Sequence, residues 1–209
     1  LGLTIRRENC EARIVDSVGT GITMYARSRL TGIGYYDATY PMGWGSDGEF
    51  HQRIRLAGLR SVVNRDAKIL HEFKPFSDAR SYRLRGATRN RLTLISTHYS
   101  LGTLLFLLPL LIAFEVFLLF FYLGSGLRKP YWEGIKLFAS DLPACWRRRK
   151  FIQSLRRSPD WQLLVSGEVF MPPHVRLHRW SPVAVLLRAG NAAVSAYWDA
   201  YVWLRRLRH

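Results

Sequence analysis

The longest apolar segment of the chain runs from Leu101 to Leu123 and contains one charged residue, Glu115. As a helix it would be about 34 Å long, enough to cross a hydrocarbon core of ~30 Å. A carboxylate at the bilayer centre costs roughly 2.5–3.5 kcal/mol, whereas the Leu, Ile, Phe and Val side chains together favour insertion by roughly 5–10 kcal/mol. The pattern predicts a hydrophobic, membrane-embedded helix over residues 98–126. An unpaired Glu115 there predicts that Glu115→Leu strengthens membrane partitioning.

Basic residues flank this segment on both sides. Arginines cluster at positions 83–91, and a second basic cluster follows between Arg128 and Lys150. Since Lys and Arg normally stay on the cytoplasmic side, a single crossing would leave one cluster on the unfavourable side. The pattern favours a re-entrant or interfacial helix, broken near Pro109, over a spanning one. A buried core helix is the remaining alternative, although so long an apolar run is unusual in globular cores.

Short strand and helix patterns alternate in the N-terminal half of the chain. Runs of β-branched and apolar residues between glycine or polar turns predict four short strands, at residues 13–15, 22–25, 61–63 and 67–71. Helical spacing predicts one helix over residues 46–57 and another over about 78–98. This alternation predicts an α/β fold with an incomplete sheet.

The first of these helices has recognisable start and stop patterns. Ser46 followed three residues later by Glu49 forms a capping box, and Gly58 supplies a left-handed stop. Asp47 lies where the loop meets the helix, so its carboxylate stays open to substrate while the backbone positions it. A carboxylate held there could take a proton from an attacking hydroxyl. Stabilising the helix dipole is the alternative role for Asp47.

Other polar residues have alternative explanations. The cap and an ion pair with Arg53, one turn later, account for Glu49. His71, at the end of a predicted strand, could reach a metal ion or a diphosphate, or be structural. Arg89 and two neighbouring arginines could bind phosphate oxygens, or could attract lipid headgroups.

The composition is strongly basic. Lys and Arg number 31 against 15 Asp and Glu, which gives a formal net charge of +16. Such a surplus attracts polyanions or anionic headgroups, and the apolar segment favours a membrane surface with anionic lipids over nucleic acid. The sequence of residues 127–209 predicts basic, amphipathic helices that lie at the level of the lipid headgroups. The alternative is a solvated basic helix that packs on its own domain. Cys10 and Cys145 lack the spacing of a zinc site or a disulfide framework, which suits a reducing cytoplasm.

Several motifs within residues 12–164 resemble those of family 2 glycosyltransferases, most closely the bacterial cell-envelope enzymes of the rhamnosyltransferase kind. The matching segments are residues 19–27, 34–37, 44–60 and 89–91, together with the strand that ends at His71. In that family a GxFDExFF loop precedes an EDxDLxxR helix. Here Gly34-Tyr35-Tyr36-Asp37 and the segment from Ser46 to Arg53 hold those places. Ser46 stands where the family has Glu, and Glu49 stands where it has the second Asp.

The resemblance implies a partial GT-A fold in which residues 1–97 are the C-terminal, acceptor-side half of the catalytic domain. It implies an inverting transfer with Asp47 as the catalytic base. The implied substrate-binding residues are Trp44, Glu49, Arg53, His71 and Arg89.

The resemblance also implies the partners. These are a nucleotide-sugar donor and a lipid-linked or glycan acceptor, at the cytoplasmic face of a bacterial cell membrane. The complete enzyme is expected to need Mg²⁺ or Mn²⁺ on the donor diphosphate, held by an Asp-x-Asp motif that this chain lacks. No metal site is expected in this chain, apart from His71 as a candidate ligand, so the chain alone should have little activity. A non-catalytic, basic membrane-associated adaptor is the alternative function, and a nucleic-acid binder a third.

Overall fold

The computed structural model describes residues 13–15, 23–40, 45–64, 80–164 and 182–207. The chain divides after Pro159 into two compact units. The regular elements in the described ranges are two strands, a 3₁₀ turn at Arg27–Arg29 and seven helices: β1 (Arg13–Val15), α1 (Ser46–Leu56), β2 (Ser61–Val63), α2 (Arg80–His98), α3 (Leu101–Gly124), α4 (Arg128–Ser140), α5 (Leu142–Ser154), α6 (Asp160–Leu163) and α7 (Pro182–Arg206).

The described residues are mostly helical, with 74% in helices and 3% in strands. Strands β1 and β2 form one antiparallel ladder in which Ile14 lies opposite Val62. These two side chains are 62% and 59% exposed, so the ladder buries little apolar surface on that face. Residues 23–26 have no regular structure, and the strand predicted at 67–71 lies outside the described residues. The predicted α/β, partial GT-A fold is therefore wrong, because helices rather than a sheet pack around α2.

Helix α2 is the centre of the unit that ends at Pro159, and both α4 and α5 pack against it. Gly134 of α4 allows a close approach: a Cβ built there would lie 2.7 Å from the carbonyl oxygen of Arg85 and 2.7 Å from the Cβ of Thr88. From α5, the guanidinium of Arg149 donates to the carbonyl oxygen of Ser96 at 2.6 Å. This bond satisfies one of the carbonyls that the end of a helix leaves unpaired.

Helix α1 begins and ends at glycines in the left-handed conformation. Gly45, with φ of 86°, is the N-cap, and no side chain caps the helix. The predicted capping box is therefore wrong: Ser46 is already helical, and its hydroxyl donates to Asp47 Oδ1 at 3.2 Å instead. The predicted stop is confirmed, because Gly58 has a φ of 77°. The inner side of α1 contributes Phe50 to a small core with neighbouring apolar residues.

Helix α3 confirms the predicted hydrophobic helix. The helix is strongly apolar and very little of it is buried, so it is not a core helix within the described residues. The hydroxyl of Ser100 caps its first turn by accepting from the backbone N–H of Thr103. The predicted break at Pro109 is wrong, since the helix continues through this residue. A proline removes one backbone donor, and the remaining turns keep their own bonds.

Glu115, in the middle of α3, is paired. Arg91 of α2 donates to both carboxylate oxygens, with Arg91 Nη2 lying 3.0 Å from Glu115 Oε2. The hydroxyl of Tyr131 in α4 donates to the same carboxylate at 2.6 Å. Glu115 is therefore not unpaired, and a leucine there would also leave Arg91 without its partner. The effect of Glu115→Leu on membrane partitioning stays a prediction.

We expect Glu115→Leu to lower the free energy of unfolding by about 1–3 kcal/mol, the usual cost of leaving a shielded polar partner unsatisfied. The double variant Arg91→Leu/Glu115→Leu should recover most of this loss, because neither charge is then left alone. Urea unfolding of the wild type, both single variants and the double variant in detergent measures the coupling. Strictly additive losses would contradict the pairing.

Residues from Asp160 onward form the second compact unit, described for α6 and α7. In α7 the rings of Trp198 and Tyr201 lie 5.2 Å apart, and both side chains are buried. The guanidinium of Arg206 lies 5.9 Å from the ring of Trp161 in α6. The predicted domain boundaries after residues 97 and 126 differ from this division, which keeps α4 and α5 with the preceding residues. The headgroup-level location of the tail stays a prediction.

Candidate active site

Asp47 lies in the first turn of α1 and is half-buried. The left-handed turn at Gly45 directs the chain into the helix, and a Cβ built at Gly45 would lie 4.0 Å from the Cβ of Asn90 in α2. Asp47 therefore occupies a turn that sits directly beside the middle of α2. The described hydrogen bond to its carboxylate comes from Ser46, so the carboxylate is positioned by its own turn.

One turn after Asp47, His51 organises a polar cluster. Its Nδ1 lies 3.3 Å from the hydroxyl of Ser61, and its Nε2 lies 3.3 Å from the hydroxyl of Tyr25. The hydroxyls of Tyr25 and Tyr36 are 2.6 Å apart. Burial lowers the pKa of His51, although the negative charge of Asp47 opposes the shift. His51 is therefore a neutral imidazole at pH 7, beside an acidic side chain that remains partly open to solvent.

Glu49 faces the opposite way from Asp47 and is fully buried. Arg53 donates to both of its oxygens at 2.9 Å, and His98 Nε2 lies 3.4 Å from Glu49 Oε1. Burial alone raises the pKa of Glu49, but the contacts with His98 and Arg53 outweigh it and leave the pKa below its usual range. The carboxylate is therefore ionised inside the protein.

Arg53 uses its remaining donors on the loop before α1. Its Nη1 donates to the carbonyl oxygen of Ile33 at 2.8 Å, and its Nη2 donates to that of Tyr35 at 2.7 Å. Arg53 is 4% exposed and Glu49 is 0% exposed. Both side chains are enclosed, and Arg53 holds the loop against α1. Their predicted contact with substrate stays a prediction.

Arg89 is also buried, at 5% exposure. Its guanidinium donates to Asp141 at 2.6 and 2.9 Å, to the carbonyl oxygen of Thr39 at 2.6 Å and to Asn90 Oδ1 at 2.9 Å. These bonds tie the loop before α1 to α2 and to the start of α5. Binding of substrate by Arg89 stays a prediction, because the residue also lines a pocket.

This pocket has a volume of about 420 Å³. It is lined by Asp37, Thr39, Arg89, Asp141, Ala144, Cys145 and Arg148. Burial lowers the pKa of Arg148 to about 10, and its guanidinium pairs with Asp37. The positive charges of two arginines and the negative charges of two aspartates offset each other in the wall of the pocket.

Trp44 and His71 lie outside the described residues, so their predicted roles stay predictions. Within the described ranges, no three His, Cys, Asp or Glu side chains are close enough to hold a metal ion. The Mg²⁺ or Mn²⁺ expected for the complete enzyme stays a prediction.

His51 and Tyr25 are residues of the site that were not predicted from the sequence. The spacing of four residues between Asp47 and His51 places both on one side of a helix, and this could have identified the histidine. Tyr25 joins the cluster from 26 residues before His51, through a segment with no regular structure, and no local pattern predicts that contact.

No protein-family model, curated protein or solved structure matches this chain.

Proposed function

We propose that this chain carries the acceptor side of an inverting glycosyltransferase, with Asp47 as the catalytic base. The donor would be a nucleotide-sugar and the acceptor a hydroxyl of a lipid-linked or envelope glycan. The observation that carries the proposal is the separation of the two neighbouring carboxylates. Glu49 is enclosed and paired with Arg53, and His98 lies in contact with it, whereas Asp47 is partly exposed beside His51, whose pKa is lowered by burial.

The proposed reaction needs one proton acceptor. The acceptor oxygen attacks the anomeric carbon of the donor sugar while its proton passes to the Asp47 carboxylate. The bond between the anomeric carbon and the diphosphate oxygen breaks, and the nucleoside diphosphate leaves with the electron pair. A base positioned in this way typically contributes about 10²–10⁴-fold to the rate.

Aromatic and uncharged polar groups near Asp47 support a carbohydrate acceptor. Tyr35 and Tyr36, just before α1, are 58% and 43% exposed. The ring of Tyr36 lies 4.5 Å from that of Phe50, one turn after Asp47, so the exposed tyrosine is held close to the carboxylate. An aromatic face beside an acid suits a sugar ring, which offers C–H groups on its faces and hydroxyls at its edge.

A basic protein surface that binds anionic membranes supports the proposal of a lipid-linked acceptor. Helix α3, with its exposed apolar side, directly follows α2 in the chain. Helix α2 carries Asn90, which lies beside the turn that contains Asp47. The net charge of +16 favours attraction to anionic lipids at the cytoplasmic face of a bacterial membrane. An acceptor anchored by a lipid would then reach the site from the bilayer surface.

A non-catalytic membrane adaptor is the second candidate. The exposed apolar residues of α3 and the net charge of +16 favour it, because both suit membrane binding and neither depends on catalysis. It predicts binding to anionic vesicles with no sugar transfer from any donor.

The test is a transfer assay on the intact protein that contains this chain, in membranes with lipid-linked acceptors and a panel of labelled nucleotide-sugars. We expect transfer from at least one donor, with inverted configuration at the anomeric carbon by NMR. The variant Asp199→Asn, an exposed acid on α7, should behave like the wild type. Retention of configuration would exclude Asp47 as a simple base, and vesicle binding without transfer from any donor would favour the adaptor.

A further inference from the structure

We infer that α3 lies flat on an anionic bilayer, with its outer side among the acyl chains of one leaflet, and does not cross the membrane. This inference does not depend on a catalytic role for Asp47. It rests on the two sides of α3 and on the helices that hold one of them.

The outer side of α3 is exposed along its whole length. A stripe of large apolar residues spaced three or four apart is 46–67% exposed: Leu105, Leu108, Ile112, Val116 and Phe120. Residues at this spacing share one side of a helix. A continuous apolar stripe of this kind on a protein surface marks a site of membrane or protein contact.

The opposite side of α3 is held by the protein near both ends. Thr103 and Leu107 are buried in its first two turns. Further along, the guanidinium of Arg91 lies 5.3 Å from the ring of Phe114, and the ring of Tyr122 lies 5.2 Å from that of Tyr131. These contacts lie between residues 103 and 122 and therefore span roughly 28 Å, which is most of the length of the helix.

The helices that hold α3 are polar and cannot enter the hydrocarbon core with it. Arg91 of α2 pairs with Glu115 close to the midpoint of α3. If α3 crossed the bilayer, this arginine and the arginine-rich helix α2 would lie near the bilayer centre, where charged side chains are costly. If α3 lies flat, the same ion pair stays on the protein side of the interface, and only the outer apolar stripe enters lipid.

Charge complementarity identifies the partner as a bilayer with anionic headgroups. Arg128 and Lys129 are exposed directly after α3, and Lys136 is exposed two turns further along α4. Trp132, between them, is 41% exposed. Basic residues beside an exposed Trp, next to an apolar stripe, are the arrangement expected at headgroup level.

Spin labels measure the depth of α3 directly. In the intact protein with Cys10→Ser and Cys145→Ala, single cysteines would replace Leu105, Ile112 or Phe120 and carry a nitroxide. On vesicles containing anionic lipids, we expect the three labels to lie at similar depths, roughly 5–10 Å below the headgroups. A profile in which Ile112 is deepest, at roughly 15 Å, while the other two lie near opposite surfaces would overturn the inference. Labels that never enter lipid would overturn it as well.

A labelling experiment provides an independent readout. The variants Ser100→Cys and Ser125→Cys, each made in the protein with Cys10→Ser and Cys145→Ala, place single thiols at the two cap residues of α3, off the apolar stripe. In sealed inside-out membrane vesicles, a membrane-impermeant maleimide should modify both thiols to a similar extent without detergent. Modification of only one of them, with the other appearing after detergent, would mean that α3 crosses the bilayer. Since neither experiment measures turnover, failure of the glycosyltransferase proposal would leave both results interpretable.

Discussion

Replacing Asp47 with Asn is expected to lower kcat for sugar transfer by about 10²–10⁴-fold, the usual contribution of a general base. The amide has nearly the same shape as the carboxylate and can still accept a hydrogen bond from Ser46, but it cannot take the acceptor's proton. Because Asp47 is half-buried and lies outside the Glu49 ion pair, the melting temperature should hardly change. The measurement is the steady-state rate of transfer by the intact protein, with thermal unfolding recorded in parallel.

Two variants separate loss of the base from loss of charge or fold. Asp199→Asn removes the same charge from an exposed position on α7 and should keep wild-type turnover. Glu49→Gln, two residues from Asp47, should reduce the melting temperature, because it weakens a buried ion pair. Near-normal turnover in a folded Asp47→Asn protein would end the assignment of the base.

The second large effect is expected from Arg53→Ala, which should lower the free energy of unfolding by about 3–5 kcal/mol. The substitution leaves the ionised carboxylate of Glu49 inside the protein without its main partner. It also removes the donors to the carbonyl oxygens of Ile33 and Tyr35. Urea unfolding monitored by tryptophan fluorescence measures the change.

Arg29→Ala is the matched control for this prediction, because Arg29 is exposed and should change stability by less than about 0.5 kcal/mol. Arg53→Lys tests the geometry, since a lysine keeps the charge but cannot bridge two carbonyls and a carboxylate with a planar fork. A stability of Arg53→Lys equal to wild type would show that charge alone matters. A loss below 1 kcal/mol for Arg53→Ala would contradict the structural role of the pair.

The elements that could be predicted from the sequence are those specified by neighbouring residues. Helices α1, α2 and α3 follow from apolar spacing and from the stop at Gly58, and all three form close to their predicted limits. The start of α1 was misassigned because Ser46 and Glu49 have the spacing of a capping box, while the left-handed Gly45 already turns the chain. The local sequence pattern predicts the helix but not the residue that caps its first turn.

Contacts between distant residues could not be predicted in this way. Arg89 meets Asp141 across 52 positions, and Arg91 meets Glu115 across 24. From the sequence, the arginines of α2 appear equally suited to phosphate or lipid. In the folded protein Arg89 and Arg91 each pair with a carboxylate of the same chain. The α/β prediction failed for a related reason: it took short apolar runs as parts of a larger sheet, whereas the described residues form one two-stranded antiparallel ladder.

Gly134 sets a limit on how far this arrangement can vary. Even a methyl group at this position would overlap both a backbone oxygen and a side chain of α2, so α4 would have to move outward. Tyr131, one turn earlier on α4, would be carried away from Glu115 by the same movement. One of the contacts that attach α3 to the rest of the molecule, the hydrogen bond from Tyr131 to Glu115, thus depends on Gly134 carrying a hydrogen atom where every other amino acid has a carbon.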